Sequence, residues 1–244
     1  MRRVALLVVV IALAGCGGKS DGTLTVSAAT SLKKALTAYQ FPDAKVRASF
    51  AGSDELAAQI RQGVKPDVFA SANTTLPEAL YKEGLVEKPR VFAANQLVLA
   101  VAADGTVTSL VDLTKPGTRI AMGSASVPVG SYTRKVLAKL PTQQREAILA
   151  NVRSNEPDVG GVVGKVATGA VDAGFVYLTD VQGAQGRLKA IELPAELKPK
   201  VSYGVAVVKG AKNPDGATQY IEGLVNGDGR KALDAAGFLP PPGT

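Results

Sequence analysis

The chain has 244 residues, 46% of them hydrophobic, and 28 lysines and arginines against 21 acidic residues give a formal net charge of +7. It has no histidine and one cysteine, Cys16, which excludes Ser-His-Asp catalysis, histidine-ligated zinc and an internal disulfide. The basic residues are scattered, without a basic stripe interleaved with aromatics, so nucleic-acid binding is not expected.

Residues 1–15 have the form of a secretory signal peptide, with Arg2 and Arg3 ahead of an apolar run too short to span a bilayer. The run ends in Leu-Ala-Gly-Cys at 13–16, which resembles the lipobox of bacterial lipoproteins, whose cysteine is lipid-modified and becomes the new N-terminus. We therefore expect a lipid on Cys16, a flexible tether over 16–22, and an exported protein anchored to the outer face of the cell membrane. The alternative is a buried cysteine within an apolar helix.

From residue 23 onward, short β-rich runs alternate with amphipathic segments, which predicts an α/β fold with mostly parallel strands and helices on both faces of the sheets. Strands are predicted over seven segments, namely 24–27, 46–50, Val68–Ser71, Leu97–Ala102, Ile120–Gly123, Ala173–Tyr177 and 202–208.

Two serines each stand between a predicted strand and a run of apolar residues at helical spacing, and they are Ser31 and Ser53. Each is a predicted helix N-cap at the carboxyl end of a strand, the edge where open α/β sheets bind ligands. Because a helix start carries N–H groups without internal partners and partial positive charge, two such starts could hold one small oxyanion. The other interpretation is that both serines are ordinary caps.

Two later segments also have the pattern of a helix start. Pro128 sets the entry to a helical pattern that continues over 132–140, and Asp158 is a plausible N-cap for the run that follows it. Two early and two late helix starts predict two lobes facing each other across a cleft. We expect the chain to cross between lobes near 94–99 and near 199–203, so that 23–96 plus 203–244 form lobe 1 and 97–202 form lobe 2.

An enzyme is the weaker hypothesis. The sequence has no Walker-type loop and no dinucleotide-binding fingerprint, and its acidic pairs occur at helix starts or in loops. A hydrolase that uses Ser31 or Ser53 with a lysine is the least implausible enzyme. An exported adhesion or structural domain, with incidental capped helices, is a third possibility.

Several motifs in order resemble those of the molybdate-binding proteins that feed ABC importers, in the type II class of periplasmic binding proteins. The resemblance extends from about residue 23 to 239 and is carried by Ala-Ala-Thr-Ser-Leu at 28–32, Phe-Ala-Gly-Ser at 50–53, Leu-Ala-Ala-Gln-Ile at 56–60, Pro-Asp-Val-Phe-Ala-Ser-Ala at 66–72, Val-Pro-Val-Gly at 127–130, Gly-Phe-Val-Tyr-Leu-Thr-Asp at 174–180 and Gly-Phe at 237–238.

The resemblance implies a two-lobed fold that closes on a tetrahedral oxyanion in the cleft between its lobes. The positions that match the family's binding motifs are Ser31, Ser53, Val129, Val159 and Tyr177. The serines would donate hydroxyl and backbone N–H groups, the valines backbone N–H groups, and the tyrosine its phenolic O–H. The protein would capture molybdate and tungstate through their oxygens, with no cofactor and no direct ligand to the metal. As a monomer, it would deliver them to an ABC permease.

A site made only of hydrogen-bond donors favours molybdate, tungstate or sulfate over phosphate, which keeps a proton near neutral pH. Two residues are unexpected in such a site, Asp54 and Asp158, because a carboxylate facing the cleft would repel a dianion or accept a proton from phosphate. We expect both carboxylates to satisfy helix N–H groups at the rim instead. A sulfate- or phosphate-binding protein of the same fold is the nearest alternative.

Overall fold

The computed structural model describes residues 22–242, so the predicted signal peptide and Cys16 lie outside the described residues. The strands are β1 (Thr23–Ala29), β2 (Lys45–Ala51), β3 (Val68–Ser71), β4 (Arg90–Asn95), β5 (Leu97–Ala102), β6 (Ile120–Gly123), β7 (Val152–Glu156), β8 (Ala173–Tyr177), β9 (Leu188–Glu192) and β10 (Val201–Val207). The helices are α1 (Lys33–Ala38), α2 (Ser53–Arg61), α3 (Thr75–Lys82), α4 (Pro128–Leu137), α5 (Thr142–Ala150), α6 (Val159–Ala167), α7 (Leu178–Gly183), α8 (Pro214–Asn226) and α9 (Asp228–Ala235). Short 3-10 turns occupy Thr30–Leu32, Val111–Thr114 and Ala195–Leu197.

The strands form two five-stranded sheets, the first in the order β2-β1-β3-β10-β4 and the second in the order β7-β6-β8-β5-β9. The predicted α/β class is confirmed, but parallel pairs do not predominate, because each sheet has two parallel and two antiparallel pairs. The antiparallel pairs all involve β10 or β5. These are the strands that the chain enters directly from the other sheet, without the helical crossover that joins parallel neighbours.

The sequence predicted the interior strands better than the edges. Four predicted segments agree to the residue with β3, β5, β6 and β8, and three others differ by one or two residues at their ends from β1, β2 and β10. The strands that were not predicted are β4, β7 and β9, and each lies at the edge of its sheet. β7 and β9 carry polar side chains in place of a continuous apolar run, so their periodicity is weak. β4 is apolar over 91–94, and its short run gave no alternation from which to predict a strand.

The chain passes from the first sheet to the second between Asn95 and Leu97, and it returns between β9 and β10. Beyond β10, α8 packs on β10 and β4, and α9 packs on α8 and α1, which places both helices against the first sheet. The last paired segment reaches β4, where Ala94 and Leu239 each donate a backbone N–H to the other's carbonyl at 2.9 Å.

The core is apolar and includes an aromatic cluster formed by Phe92, Tyr177, Tyr203 and Phe238. The centroid of the Tyr203 ring lies 5.9 Å from that of Tyr177 and 5.3 Å from that of Phe238. Both pairs are edge-to-face, the arrangement that aromatic rings prefer. No helix within residues 22–242 has the length and apolarity needed to cross a membrane.

One buried carboxylate, that of Asp67, connects the start of the first sheet to the C-terminal helices. The residue is 1% exposed. It accepts hydrogen bonds from the Thr25 N–H at 2.7 Å, the Thr25 hydroxyl at 2.6 Å and the Asn213 N–H at 2.8 Å. Burial opposes its ionisation, but the bonds from Thr25 and Asn213 outweigh burial and hold the pKa of Asp67 below its usual value.

We expect Asp67→Ala to lower the free energy of unfolding by about 3 kcal/mol, because it leaves buried donors without acceptors. Since the folded-state pKa is depressed, the stability from this carboxylate is present above the usual aspartate pKa and is lost as the pH falls through the folded-state value. The variant should therefore lose part of the acid sensitivity of the wild type. Denaturant unfolding at neutral and acid pH measures both effects.

Asp104→Ala is the matched control, because Asp104 is exposed and its loss should leave stability unchanged. Equal losses in the two variants would contradict the role of Asp67.

Candidate functional site

A small cavity lies between the two sheets, where three parallel strands of each sheet end. In the first sheet β1, β2 and β3 run parallel, as do β6, β7 and β8 in the second, and their carboxyl ends face the cavity. It offers about 20 Å³ to the centre of a water-sized sphere, little more than one water molecule requires. Such a space suits a small ion and excludes a sugar or a peptide. Its lining consists of Ala29, Thr30, Ser31, Ala51, Gly52, Ser53, Ala72, Val127, Pro128, Val129, Asp158, Val159 and Tyr177.

The five residues predicted as binding residues all line this cavity, although they are spread over 147 positions from first to last. They are Ser31, Ser53, Val129, Val159 and Tyr177, and each is buried. The first two follow strands of the first sheet, and the other three follow or end strands of the second. The structure therefore brings together residues from both halves of the chain.

Neither serine is an N-cap, so this part of the prediction is wrong. Ser31 lies within the 3-10 turn Thr30–Leu32, and its hydroxyl is 3.0 Å from the Tyr203 hydroxyl. Ser53 is the first residue of α2 after the cap position Gly52, and its Oγ accepts the Ala72 N–H at 3.1 Å. Each hydroxyl pairs with a group from another part of the first sheet, because the strand ends converge here.

Residues at three helix starts line the same cavity. The helices α2, α4 and α6 begin at Ser53, Pro128 and Val159. First-turn N–H groups have no acceptor within their own helix, and the helix dipole adds partial positive charge there. Val129 and Val159 are in these first turns, so each can present an N–H to the cavity whatever its side chain.

Two buried hydroxyls at the cavity make no hydrogen bond to any described residue. They are Tyr177 Oη and Thr30 Oγ1. Burial raises the pKa of Tyr177 well above its usual value, and the neighbouring Tyr203 raises it further, so the hydroxyl keeps its proton and can donate. Thr30 was not predicted, and the available signal was a second hydroxyl directly before Ser31.

The lining carries little charge, because none of its described residues is a lysine or arginine and Asp158 is its one acidic member. The Asp158 carboxylate accepts the Gly161 N–H at 2.9 Å, which confirms the predicted N-cap. Asp54 is in the first turn of α2, but its Oδ1 is buried without a hydrogen-bond partner among residues 22–242. The expected first-turn position of Asp54 is confirmed, but this oxygen does not accept the helix N–H that we expected it to satisfy.

A further carboxyl group lies just behind the site. Asp180 accepts the backbone N–H of Tyr177 at 2.9 Å. Burial raises the pKa of Asp180 to about 7; the bond from Tyr177 lowers it and the negative charge of Asp158 raises it.

The arrangement offers hydrogen-bond donors for an anion. Within the described part of the chain, no group of three or more His, Cys, Asp or Glu residues could hold a metal ion. The hydroxyls and N–H groups can satisfy several oxygens of one small anion.

The chain belongs to a family of binding proteins. Residues 24–239 match the family model described as "Bacterial extracellular solute-binding protein". Because such proteins bind substrates and do not transform them, the prediction of a binding protein in place of an enzyme is confirmed.

Within this family, the chain is similar to particular proteins that carry more specific names. The chain is 34% identical to the molybdate-binding protein ModA of Mycobacterium tuberculosis over 95% of this chain and 94% of that one. It is 30% identical to the putative ABC transporter substrate-binding lipoprotein YvgL of Bacillus subtilis over 96% of both chains. The periplasmic molybdate-binding protein of Azotobacter vinelandii has the same fold, with a TM-score of 0.79 and 24% identity over 89% of this chain and 99% of that one.

Gly52 permits a close approach between the two halves of the site. A Cβ at this position would lie 2.4 Å from the Pro157 carbonyl oxygen and 2.8 Å from Asp54 Oδ1. We expect Gly52→Ala to force α2 away from the loop before α6 and to lower the free energy of unfolding by about 1–3 kcal/mol. Denaturant unfolding, together with the distance between spin labels on α2 and α6, measures both effects.

The control is Gly164→Ala, because a Cβ at Gly164 would meet no atom within 4 Å. Alanine in the middle of α6 should stabilise the protein slightly. Identical label distances in wild type and Gly52→Ala would show that the approach is not tight.

The raised pKa of Asp180 predicts a pH dependence of stability. A carboxyl whose folded-state pKa exceeds its unfolded value stabilises the folded protein at low pH, and this contribution is lost as the pH rises from about 4 to about 7. Asp180→Asn can still accept the Tyr177 N–H but cannot ionise. Its melting temperature should exceed that of the wild type at pH 8, with the difference shrinking towards pH 5. Parallel melting curves across this range would contradict the assignment.

Proposed function

We propose that this chain captures molybdate, and tungstate with it, outside the cytoplasm and delivers it to the permease of an ABC importer. The observation that carries the proposal is a cavity of ion size, lined at six strand ends by residues with hydroxyl and N–H donors and with no cationic side chain among its described lining residues. The names of the M. tuberculosis and A. vinelandii proteins support molybdate as the ligand.

The binding residues in this proposal are Ser31, Ser53, Val129, Val159 and Tyr177. Ser31 and Ser53 donate their O–H groups and backbone N–H groups, and the two valines donate backbone N–H groups at the starts of α4 and α6. Tyr177 donates a phenolic O–H that has no partner among the described residues. Affinity comes from donors fixed in advance in a space that excludes water, so no counter-charge is needed.

The same donors explain selectivity. Molybdate, tungstate and sulfate only accept hydrogen bonds at neutral pH, whereas hydrogen phosphate has a proton that needs an acceptor. Asp158 is the acidic residue among the described lining residues, and its Oδ1 accepts the Gly161 N–H as the N-cap of α6. If the carboxylate stays turned to the helix start, phosphate leaves a proton or a donor unpaired. The size of the cavity decides between molybdate and sulfate.

Residues 23–96 with 203–244 form one lobe in this proposal, and 97–202 form the other. Closure of the lobes around the anion is the signal for the permease. The protein works as a monomer held at the membrane by a lipid on Cys16. The word lipoprotein in the name of the B. subtilis relative supports this anchor.

Calorimetric titration with molybdate, tungstate, sulfate and phosphate tests the proposal. We expect one-to-one binding of molybdate and tungstate. Phosphate should bind at least about tenfold more weakly, which corresponds to one unmatched hydrogen bond, and sulfate should bind more weakly because it is the smaller anion. Preferred binding of phosphate would mean that Asp54 or Asp158 accepts a proton. No heat with any of the four anions would contradict the function.

Tyr177→Phe removes one donor from the site without breaking a hydrogen bond to any described residue. We expect molybdate to bind about 10- to 100-fold more weakly, because one anion oxygen loses its partner. The matched control is Tyr220→Phe, since Tyr220 is equally buried, its hydroxyl also lacks a partner among the described residues, and it packs with Tyr39 and Phe41 away from the cavity. Equal affinities for the two variants would remove Tyr177 from the site.

A further inference from the structure

Behind Ser31 lies a network of hydrogen bonds between buried side chains. Apart from Ser31 itself, the residues of this network do not line the cavity. Tyr203, on β10, has its hydroxyl 3.0 Å from Ser31 Oγ. Asn95, at the end of β4, directs its Nδ2 to the Tyr203 hydroxyl at 3.3 Å and to Thr179 Oγ1 at 2.8 Å. Tyr203 is 0% exposed, and Asn95 and Thr179 are also buried, so water does not compete for these bonds.

The donors and acceptors in this network have a defined direction. The backbone N–H of Gln96 donates to Asn95 Oδ1 at 2.8 Å, so the oxygen of that amide is fixed and its other end must be the NH₂ group. Asn95 therefore donates to the Tyr203 hydroxyl. Among residues 22–242, the other hydrogen-bond partner of that hydroxyl is Ser31 Oγ.

The Tyr203 hydroxyl proton therefore has one acceptor available among the described residues, Ser31 Oγ. If Ser31 donated to Tyr203, the phenolic O–H would be buried without an acceptor among the described residues, which costs about 1–3 kcal/mol. If Tyr203 donates, its own proton is paired, and the Ser31 proton is left for an acceptor in the cavity that Ser31 lines. Burial raises the pKa of Tyr203 well above its usual value, so this proton is present throughout the neutral range.

We infer that Tyr203 is a positioning residue that fills an acceptor site of Ser31 and thereby commits the Ser31 proton to the bound anion. The inference rests on the proposed function. Ser53 is committed in the same way by a different group, because the Ala72 N–H can only donate to its Oγ. With one acceptor site of each serine filled from outside the cavity, both serines are better disposed to donate to an anion than to accept the proton of a protonated one.

The test compares a dianion that has no proton with one that has a proton. Molybdate and hydrogen arsenate are both dianions near pH 8, so their affinities respond alike to changes in charge or packing, and the ratio reports the direction of the hydroxyl. In Tyr203→Phe, Ser31 can turn and accept the arsenate proton. We expect the preference for molybdate over arsenate to fall at least about tenfold, the equivalent of one hydrogen bond.

A second variant reverses the direction of donation in these hydrogen bonds and keeps Tyr203. In Asn95→Asp the carboxylate accepts the Tyr203 proton, so Ser31 donates to Tyr203 and its acceptor side faces the cavity. The preference for molybdate should fall here too, although the added charge weakens the binding of both dianions. Tyr220→Phe is the control, and its ratio should equal that of the wild type.

The outcomes separate the two hypotheses. A wild-type protein that binds no molybdate contradicts the proposed function. If the wild type binds molybdate and both folded variants keep its ratio, or weaken both anions equally, Tyr203 has a structural role only and the inference is overturned. A lower ratio in both variants, with the control unchanged, supports it.

Discussion

A backbone N–H at the start of a helix has no acceptor within that helix, and this constraint organises the centre of the molecule. Three helices, α2, α4 and α6, start at one cavity, and the strands before them end there. Placing these starts together would be unfavourable without an acceptor, because their dipoles repel. The arrangement of these helix starts therefore favours a bound anion at this cavity.

The topology explains how two halves of one chain can share such a site. Each sheet has three parallel strands with their carboxyl ends at the cavity, and one strand, β10 or β5, that arrives from the other sheet. Two crossings therefore join the halves. The network around Tyr203 lies beside both crossings, because Asn95 ends the last strand before the first crossing and Tyr203 is near the start of the first strand after the second.

Much of the fold and of the candidate site could be predicted from the sequence, because buried strands and helix starts have local sequence patterns. The interior strands β3, β5, β6 and β8 are mostly apolar and their bounds were accurate, whereas the edge strands β7 and β9 carry polar side chains and gave a weak periodic signal. The five cavity residues came from family motifs. The partners of the serine hydroxyls could not be predicted, since Tyr203 is 172 residues from Ser31 and only the folded sheet brings them together. Local sequence favours a cap for such a serine, and tertiary structure overrides it.

The pairing of Ala94 with Leu239 has a consequence for how the molecule behaves beside other copies of itself. β4 lies at the edge of the first sheet, and its free N–H and C=O groups could extend that sheet with a strand from a neighbour. Leu239 takes up both backbone groups of Ala94, and the chain then continues into Pro240, Pro241 and Pro242, which have no N–H to offer. Leu239 and the prolines after it thus protect part of the edge of the first sheet from β-pairing with another molecule and from aggregation.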